Sequence, residues 1–292
     1  MKKIKIVVLS LMIMTIFAPT VASAKETVYY TNLNGVEMTE TEYNNLRNIY
    51  DEDTIATLEK ATVDLFKDKE NLVVTRTEKY IQVDEYIDNN GNVIETEQKE
   101  VTKEEAEAFV ENQKNGIQTR ASSHQTSMKR IVISGTAGTA STKTVTITNT
   151  WLSIPAVKSY DVIAFGNGSG LSMTINSISG YQKWDGNTIS YNSNSQNTKK
   201  SNTGGVGISM NIVDDVRSSL VNSLTVTFYN TANPFRAYGT YQHAVQNVTL
   251  AQSQDYSFSR NGLGGVLNFS SSVKSKYDAM QGVDTTITFG EW

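Results

Sequence analysis

The stretch "TKTVTITNTW", residues 142 to 151, decides how the chain is read. Val145, Ile147 and Trp151 fall on one side of it, and Thr144, Thr146, Thr148 and Thr150 on the other. A period of two sends successive side chains to opposite faces of an extended backbone, so the pattern predicts a strand with one apolar and one hydroxyl face. The scheme returns in "SLTVTFYN" (223–230), with Leu224, Val226 and Phe228 inward, and in "VDTTITF" (283–289), with Val283, Thr285, Ile287 and Phe289. Further strands are expected near 128–134, 160–166, 171–184, 187–192, 205–213, 236–251 and 264–270, with short helical pieces at 214–221 and 273–280. About ten short strands with one wetted face and turns between them predict an antiparallel β-sandwich over 128–292, with a barrel as the alternative closure.

Upstream the composition changes. Residues 25–119 hold 22 acidic and 10 basic side chains, whereas residues 120–292 hold 8 and 13. The seam between them, "NGIQTRASSHQTS" (115–127), is polar and without periodicity, which predicts a linker over 117–127. The acidic region, 25–116, reads as α+β. Thr39-Glu40-Thr41-Glu42 and Thr102-Lys103-Glu104-Glu105 are capping boxes, in which a threonine oxygen and a glutamate satisfy free amides at a helix start. The first opens a helix through Tyr43, Leu46 and Ile49. The second opens one through Ala106, Phe109 and Val110 that stops at Asn115-Gly116. Between them lie a helix with Ile55, Leu58, Thr62, Leu65 and Phe66 at helical spacing, and strands at 72–87 and 93–101.

"DNNGN" (88–92) joins those two strands. As a calcium loop with Gly91 at its sixth position, it would put Tyr86 where the first carboxylate belongs. Asn90-Gly91 instead suits a two-residue type I′ hairpin, which needs positive φ at both positions. No metal is expected here.

The first 24 residues read as a signal peptide. Lys2, Lys3 and Lys5 precede an apolar run from Ile6 to Phe17, and Ala22-Ser23-Ala24 offers small residues for cleavage before Lys25. That run is about a dozen residues, against the ~20 needed to span a bilayer. The expected localisation is secreted and extracellular. The chain has no cysteine, so disulfides cannot staple it.

Catalytic chemistry is thinly supplied. The chain has two histidines, His124 in the seam and His243 in "TYQHAVQ", and no G-x-S-x-G elbow. The acids of the β-rich half, including Asp161, Asp185, Asp214, Asp215, Asp255, Asp278 and Asp284, are scattered. A glycosidase needs only two facing carboxylates, however, so a secreted hydrolase stays open. No catalytic residue, cofactor or metal ligand is assigned. The mild positive charge lacks a dense Lys/Arg cluster, which argues against nucleic acid.

Aromatic residues support binding better. All three tryptophans, Trp151, Trp184 and Trp292, lie in the β-rich half. Trp184 flanks an Asp185-Gly186 turn, and "NPFRAYGTYQH" places Phe235, Arg236, Tyr238 and Tyr241 around another. These five are the candidate ligand contacts, with packing as the competing role. The reading is a secreted, non-enzymatic binding protein whose partner is a surface, a glycan or a protein. The alternative is a β-pore-forming protein, since hydroxyl-rich alternating strands suit a membrane barrel. Membrane contact belongs to that alternative only. The acidic region would then be a propeptide removed by cleavage after Arg120. Under either reading, the opposite charges of the two regions predict that the acidic one docks on the basic one through a polar, salt-sensitive contact. Mass spectrometry of culture supernatant should find a chain starting at Lys25; a chain still starting at Met1, or confined to cytoplasm, contradicts export.

Overall fold

A computed structural model describes residues 27–32, 34–50, 52–56, 58, 60–64, 74–90, 92–115, 123–139, 141–167, 174–201, 205–258, 266–279 and 282–288. The cleavage residues Ala22, Ala24 and Lys25, the seam residue Arg120, and Leu65, Phe66, Gly91, Gly116, Phe289 and Trp292 lie outside the described residues.

The acidic region contains a short pair, β1 (Tyr30–Thr31) and β2 (Glu37–Met38), then helices α1 (Glu40–Arg47), α2 (Glu52–Ile55) and α3 (Lys60–Asp64). Two long strands, β3 (Val74–Ile87) and β4 (Val93–Val101), precede helix α4 (Lys103–Lys114). The β-rich half runs through β5 (His124–Thr139), β6 (Thr142–Ser153), β7 (Tyr160–Asn167), β8 (Thr174–Trp184) and β9 (Asn187–Asn192). It continues with β10 (Thr198–Lys200), β11 (Val206–Asn211), β12 (Leu220–Tyr229) and β13 (Phe235–Gln242). Helix α5 (Leu250–Ser253), β14 (Tyr256–Phe258), β15 (Leu267–Phe269) and β16 (Gly282–Ile287) complete the order.

Among the described residues β1-β2 and β14-β15 pair as separate two-stranded sheets, while the other twelve strands form two large antiparallel sheets. One has seven strands in the order β4-β3-β5-β6-β12-β8-β9, and the other five in the order β10-β11-β7-β13-β16. Their apolar faces meet in one core that joins Ile131, Ile133, Val145, Ile147, Leu224 and Val226 to Ile163, Phe165, Phe235 and Ile287. Fold class is therefore mainly β, a sandwich preceded by a small α+β region. The sheets approach closely at Gly135, where an added Cβ would lie 2.2 Å from Ile287 Cδ1. Any larger residue there would have to displace the Ile287 side chain.

Both capping boxes form as the sequence predicts. Thr39 Oγ1 accepts from Glu42 N while Glu42 accepts from Thr39 N, and Thr102 and Glu105 do the same. The Asp185-Gly186 turn also forms, with φ of 43° and 88°, and pairs Trp184 with Asn187 across the hairpin. The β3–β4 connection is a turn, but not a type I′ one. Among the described residues Asn90 does not have positive φ. Instead the Asp88 carboxylate accepts from the backbone amides of Asn90 and Asn92, each at 2.8 Å, which fixes a longer loop. The Asn92 amide above all holds this carboxyl below its usual range.

Four expectations fail locally. The single helix expected through Ile55, Leu58 and Thr62 is two short ones, α2 and α3, with Leu58 in neither. The helix expected at 214–221 is a turn at Asp214-Asp215 and an irregular stretch leading into β12, with Val216 and Leu220 both buried in the core. The strand expected over 236–251 ends at Gln242, and α5 follows, opened by a Thr249–Gln252 capping box. The piece at 273–280 shrinks to a 3-10 turn over Lys274–Lys276.

The hydroxyl face of the seven-stranded sheet is not wetted. Thr144, Thr146, Thr225 and Thr227 are each at most 5% exposed, and their hydroxyls pair across β6 and β12 at 3.1 Å (Thr144–Thr227) and 2.9 Å (Thr146–Thr225). Tyr50, from the acidic region, lays its own hydroxyl 3.0 Å from both Thr146 and Thr225. Burying a hydroxyl is tolerable once it is hydrogen-bonded, and these ladders meet that condition.

The seam also differs from expectation. Strand β5 begins at His124, inside the span expected as linker. It pairs with β3 from Val74↔Thr136 to Tyr86↔His124. Ile81 and Val83 of β3 are fully buried in the sandwich core. A hydrogen-bonded ladder and shared apolar burial therefore join the two regions, in place of screened charge attraction. Two such side chains contribute roughly 3–6 kcal/mol by burial alone, which salt does not screen. A chain cut by trypsin after Arg120 should accordingly stay as one particle in about 1 M salt, where the Debye length is about 3 Å. Size-exclusion chromatography checks this, and release of the acidic piece by salt alone contradicts the shared-sheet account.

Candidate functional site

The five aromatic and basic candidates separate by depth. Phe235 and Tyr241 are buried in the core, at 1% and 0% exposure. Trp184, 7% exposed, donates its indole N–H to Asp215 Oδ1 at 3.0 Å. Arg236 and Tyr238 stay at the surface end of β13, where Arg236 pairs with Asp284 at 2.7 Å and lies 5.1 Å from the Tyr238 ring. The structure does not bring these five onto one exposed platform.

A cleft of about 620 Å³ lies elsewhere, between the C-terminal half of α4 and the sheet end formed by β5 and β6. Helix α4 is placed by Ala106 and Phe109, which pack on Tyr80, Met128 and Leu152. Phe109, Leu152 and Ile154 give the cleft apolar walls; Lys114 and Arg217 give it positive charge, and His124 adds an imidazole ring. His124, on β5, has Nε2 3.2 Å from Asp84 Oδ1, and its ring centroid is 4.9 Å from that of Tyr86. Asp84 also accepts from Thr126 Oγ1. The cleft is of the size and mixed polarity that small ligands or single side chains fill. His124 was visible in the sequence as a seam residue; α4 folding back over the sheet was not.

A second group of polar residues is sealed inside the sandwich. Asp161 on β7 accepts from Tyr241 Oη at 2.5 Å, from the Ala244 amide at 2.8 Å and from His243 Nδ1 at 3.0 Å. Tyr241 Oη in turn accepts from Trp151 Nε1 at 3.0 Å and Asn222 Nδ2 at 2.9 Å. Glu85 of β3 lies 3.5 Å from His243 Nε2 and accepts from the Ala156 amide at 2.9 Å. Beside them Lys129 Nζ is 2.5 Å from Asp278 Oδ2. Lys129, Asp161, Glu85, Tyr241 and His243 are all 0% exposed.

Burial alone would lower the His243 pKa, but the Asp161 carboxylate, with help from Glu85, outweighs it and pushes the value up to about 10. For Asp278 burial wins: its carboxyl is raised despite the opposing charges of Lys129 and His243. Burial likewise lifts the Tyr241 phenol well above its usual range, with Asp161 adding to it. The side chains of Lys129, Asp278, His243 and Glu85 have no exposed surface. Among the described residues no group of three or more His, Cys, Asp or Glu side chains is arranged to hold a metal ion.

Sequence reading named Asp161, Asp278 and His243 but passed over Lys129 and Glu85. The signal was present: Lys129 shares the alternation of Ile131 and Ile133, which is a charged residue on an apolar face.

No family model matches the chain, and no curated protein matches it. Among solved structures it is similar to the collagen-binding domain of a Staphylococcus aureus adhesin, at 9% identity and a TM-score of 0.29, over 51% of this chain and 89% of that one. It is also similar to the KRT10-binding region of the pneumococcal serine-rich repeat protein PsrP, at 15% identity and a TM-score of 0.27, over 68% and 100%. A third is the major pilin SpaD of Corynebacterium diphtheriae, at 8% identity and a TM-score of 0.26, over 72% of this chain and 57% of that one. Likeness at these values carries no argument about function.

The cluster sets a pH dependence. His243 has a folded pKa near 10 against an ordinary value of 6.5. A raised value means the folded state holds the proton more tightly, so this stabilisation is complete below about pH 6.5 and is lost as pH climbs through about 10. Urea unfolding at stepped pH should show stability falling across that window by a few kcal/mol, and His243→Gln should flatten the fall. An unchanged slope in the variant contradicts a buried His243 cation.

Proposed function

We propose that the chain is an exported, non-enzymatic binding protein whose sandwich is a rigid carrier for a ligand held in the cleft beneath α4. The cleft is the observation that carries this reading. It is open to solvent, it combines apolar walls with His124, Lys114 and Arg217, and strands of the seven-stranded sheet form its floor. Groups held on strands keep their spacing better than groups on loops, which favours recognition over adaptation. The polar cluster of Lys129, Asp161, Glu85, Tyr241 and His243 is fully buried, so it lends no exposed group to the hydrolase alternative. The partner class proposed is a glycan or a protein segment displayed on a surface, with a polar or acidic group for the cationic rim and an apolar group for Phe109 and Leu152. Export is proposed from the N-terminal pattern of Lys2, Lys3 and Lys5, the apolar run and Ala22-Ser23-Ala24. No helix among the described residues is long and apolar enough to cross a membrane, which says nothing of strands.

The purified protein, screened against immobilised glycans, cell-wall material, extracellular-matrix proteins and liposomes, should be retained by one of the first three. Phe109→Ser with Arg217→Ala should weaken that retention at least about tenfold, a loss of about 1.4 kcal/mol, and Arg217→Ala alone, which leaves the packing of α4 in place, should account for part of it. Retention untouched by these substitutions moves the site away from the cleft. Dye release from liposomes would instead establish the pore alternative, and turnover of a glycoside or ester would establish the hydrolase.

A further inference from the structure

We propose that Lys129 Nζ and the Asp278 side chain condense to an intramolecular amide, a covalent cross-link between β5 and the segment leading into β16. The geometry carries this. Nζ sits 2.5 Å from Asp278 Oδ2, so the amine is already in contact with the carboxyl it would attack. Neither side chain has any exposed surface. Asp278 is clamped from its own backbone, because its N–H donates to His243 O at 2.9 Å while the His243 N–H donates to Asp278 Oδ1 at 2.9 Å. Gln98 Nε2 donates to Oδ2. Trp151 and Tyr241 wall the amine, with ring centroids 5.6 and 5.7 Å from Nζ.

Each contact has a chemical consequence. Amines and carboxylic acids do not condense in water because they ionise, and the ammonium is no nucleophile. In a site closed to water, transfer of one proton from ammonium to carboxylate costs far less than it does in solvent, since it removes two charges from a low dielectric. The raised carboxyl of Asp278 is consistent with that transfer. The neutral amine then attacks Cγ and a C–N bond forms. Negative charge gathers on Oδ1, where the His243 amide already donates. The remaining excess proton of nitrogen passes to the Oδ2 hydroxyl, the C–Oδ2 bond breaks, and one water leaves. No oxidant or co-reactant is needed. Fixed neighbours of this kind react with effective molarities of roughly 10⁵–10⁸ M, which offsets the weakness of an unactivated acid as electrophile. The product ties positions 149 residues apart, so it would restrain most of the β-rich half in the unfolded state.

The experiment is mass spectrometry of the full chain, secreted and purified, followed by tryptic mapping. The intact mass should be one water below that of the processed sequence. Trypsin should fail to cut after Lys129 and should yield one branched peptide joining 121–130 to 277–292. Lys129→Arg and Asp278→Ala should each restore the full mass and separate the two peptides. Asp278→Asn supplies an independent check, because its amide loses ammonia in place of water and should still give the branched peptide. Full mass and separate peptides in the unaltered protein overturn the proposal and leave a buried ion pair. So does loss of water that persists in Asp278→Ala, which would place the link elsewhere.

Discussion

Strand β5 is paired along both edges, with β3 on one side and β6 on the other, and the rest of the architecture depends on that double ladder. Its inward residues grade the interior. Near its C-terminal end Gly135 leaves room for the Ile287 side chain of the opposite sheet. In its middle Ile131 and Ile133 build the apolar core. At its N-terminal end Lys129 begins a polar layer, continued across the sheet by Asn149, Asn222 and Gln182, all fully buried. Across from these lie Asp161 and Tyr241 of the five-stranded sheet. One end of the sandwich is held by packing; at the other, Gln182 donates to Asn222 and Asn222 to Tyr241, while neither polar side-chain atom of Asn149 has a partner. A slip of one residue in β5 would turn Lys129 to the other face and reverse both ends at once, so the register is strongly determined.

Strand positions were legible because period-two alternation is a local property. The bounds of β4 and β9 fall at 93–101 and 187–192, as the sequence reading places them. Helix starts were legible for a similar reason, since a capping box needs only four residues. What could not be read was how faces are covered. "TKTVTITNTW" shows a hydroxyl face, and solvent is the default partner for one; that Tyr50, in the turn after α1, lands on it is a tertiary fact. The same limit hid the cleft, which exists only because α4 folds back on β3 and β5. Charge counting misled for a related reason. A net difference between two regions says nothing about the apolar residues, here Ile81 and Val83, that join them.

The candidate site was legible in part. Trp184, Phe235 and Tyr241 are conspicuous in the sequence, but aromatic residues beside turns serve packing as readily as binding, and these three are buried. Arg236 is the exposed member of its group because its strand neighbours Phe235 and Ala237 take the inward positions. The buried acids were visible only as single letters. What makes Asp161 unusual is convergence: a phenol, an imidazole and an amide meet on one carboxylate from residues about 80 positions away.

Such a cluster is poorly explained by stability alone. Removing a charge from water costs several kcal/mol even after relaxation, and a well-packed apolar substitute is often neutral or better. The interior holds Lys129, His243, Asp161, Asp278 and Glu85 with no exposed side-chain surface, so each has to be matched by a partner. The matches are unequal. Asp161 is saturated by donors, whereas Glu85 Oε1 stands 3.5 Å from its nearest cation, too far for a good hydrogen bond. A chain without cysteine has no disulfide to close this end of the sandwich. The polar layer sits where such a closure is needed, joining β3, β5, β7 and the segment ahead of β16 around a common set of charges. It fixes which strands belong together at the end where apolar packing does not.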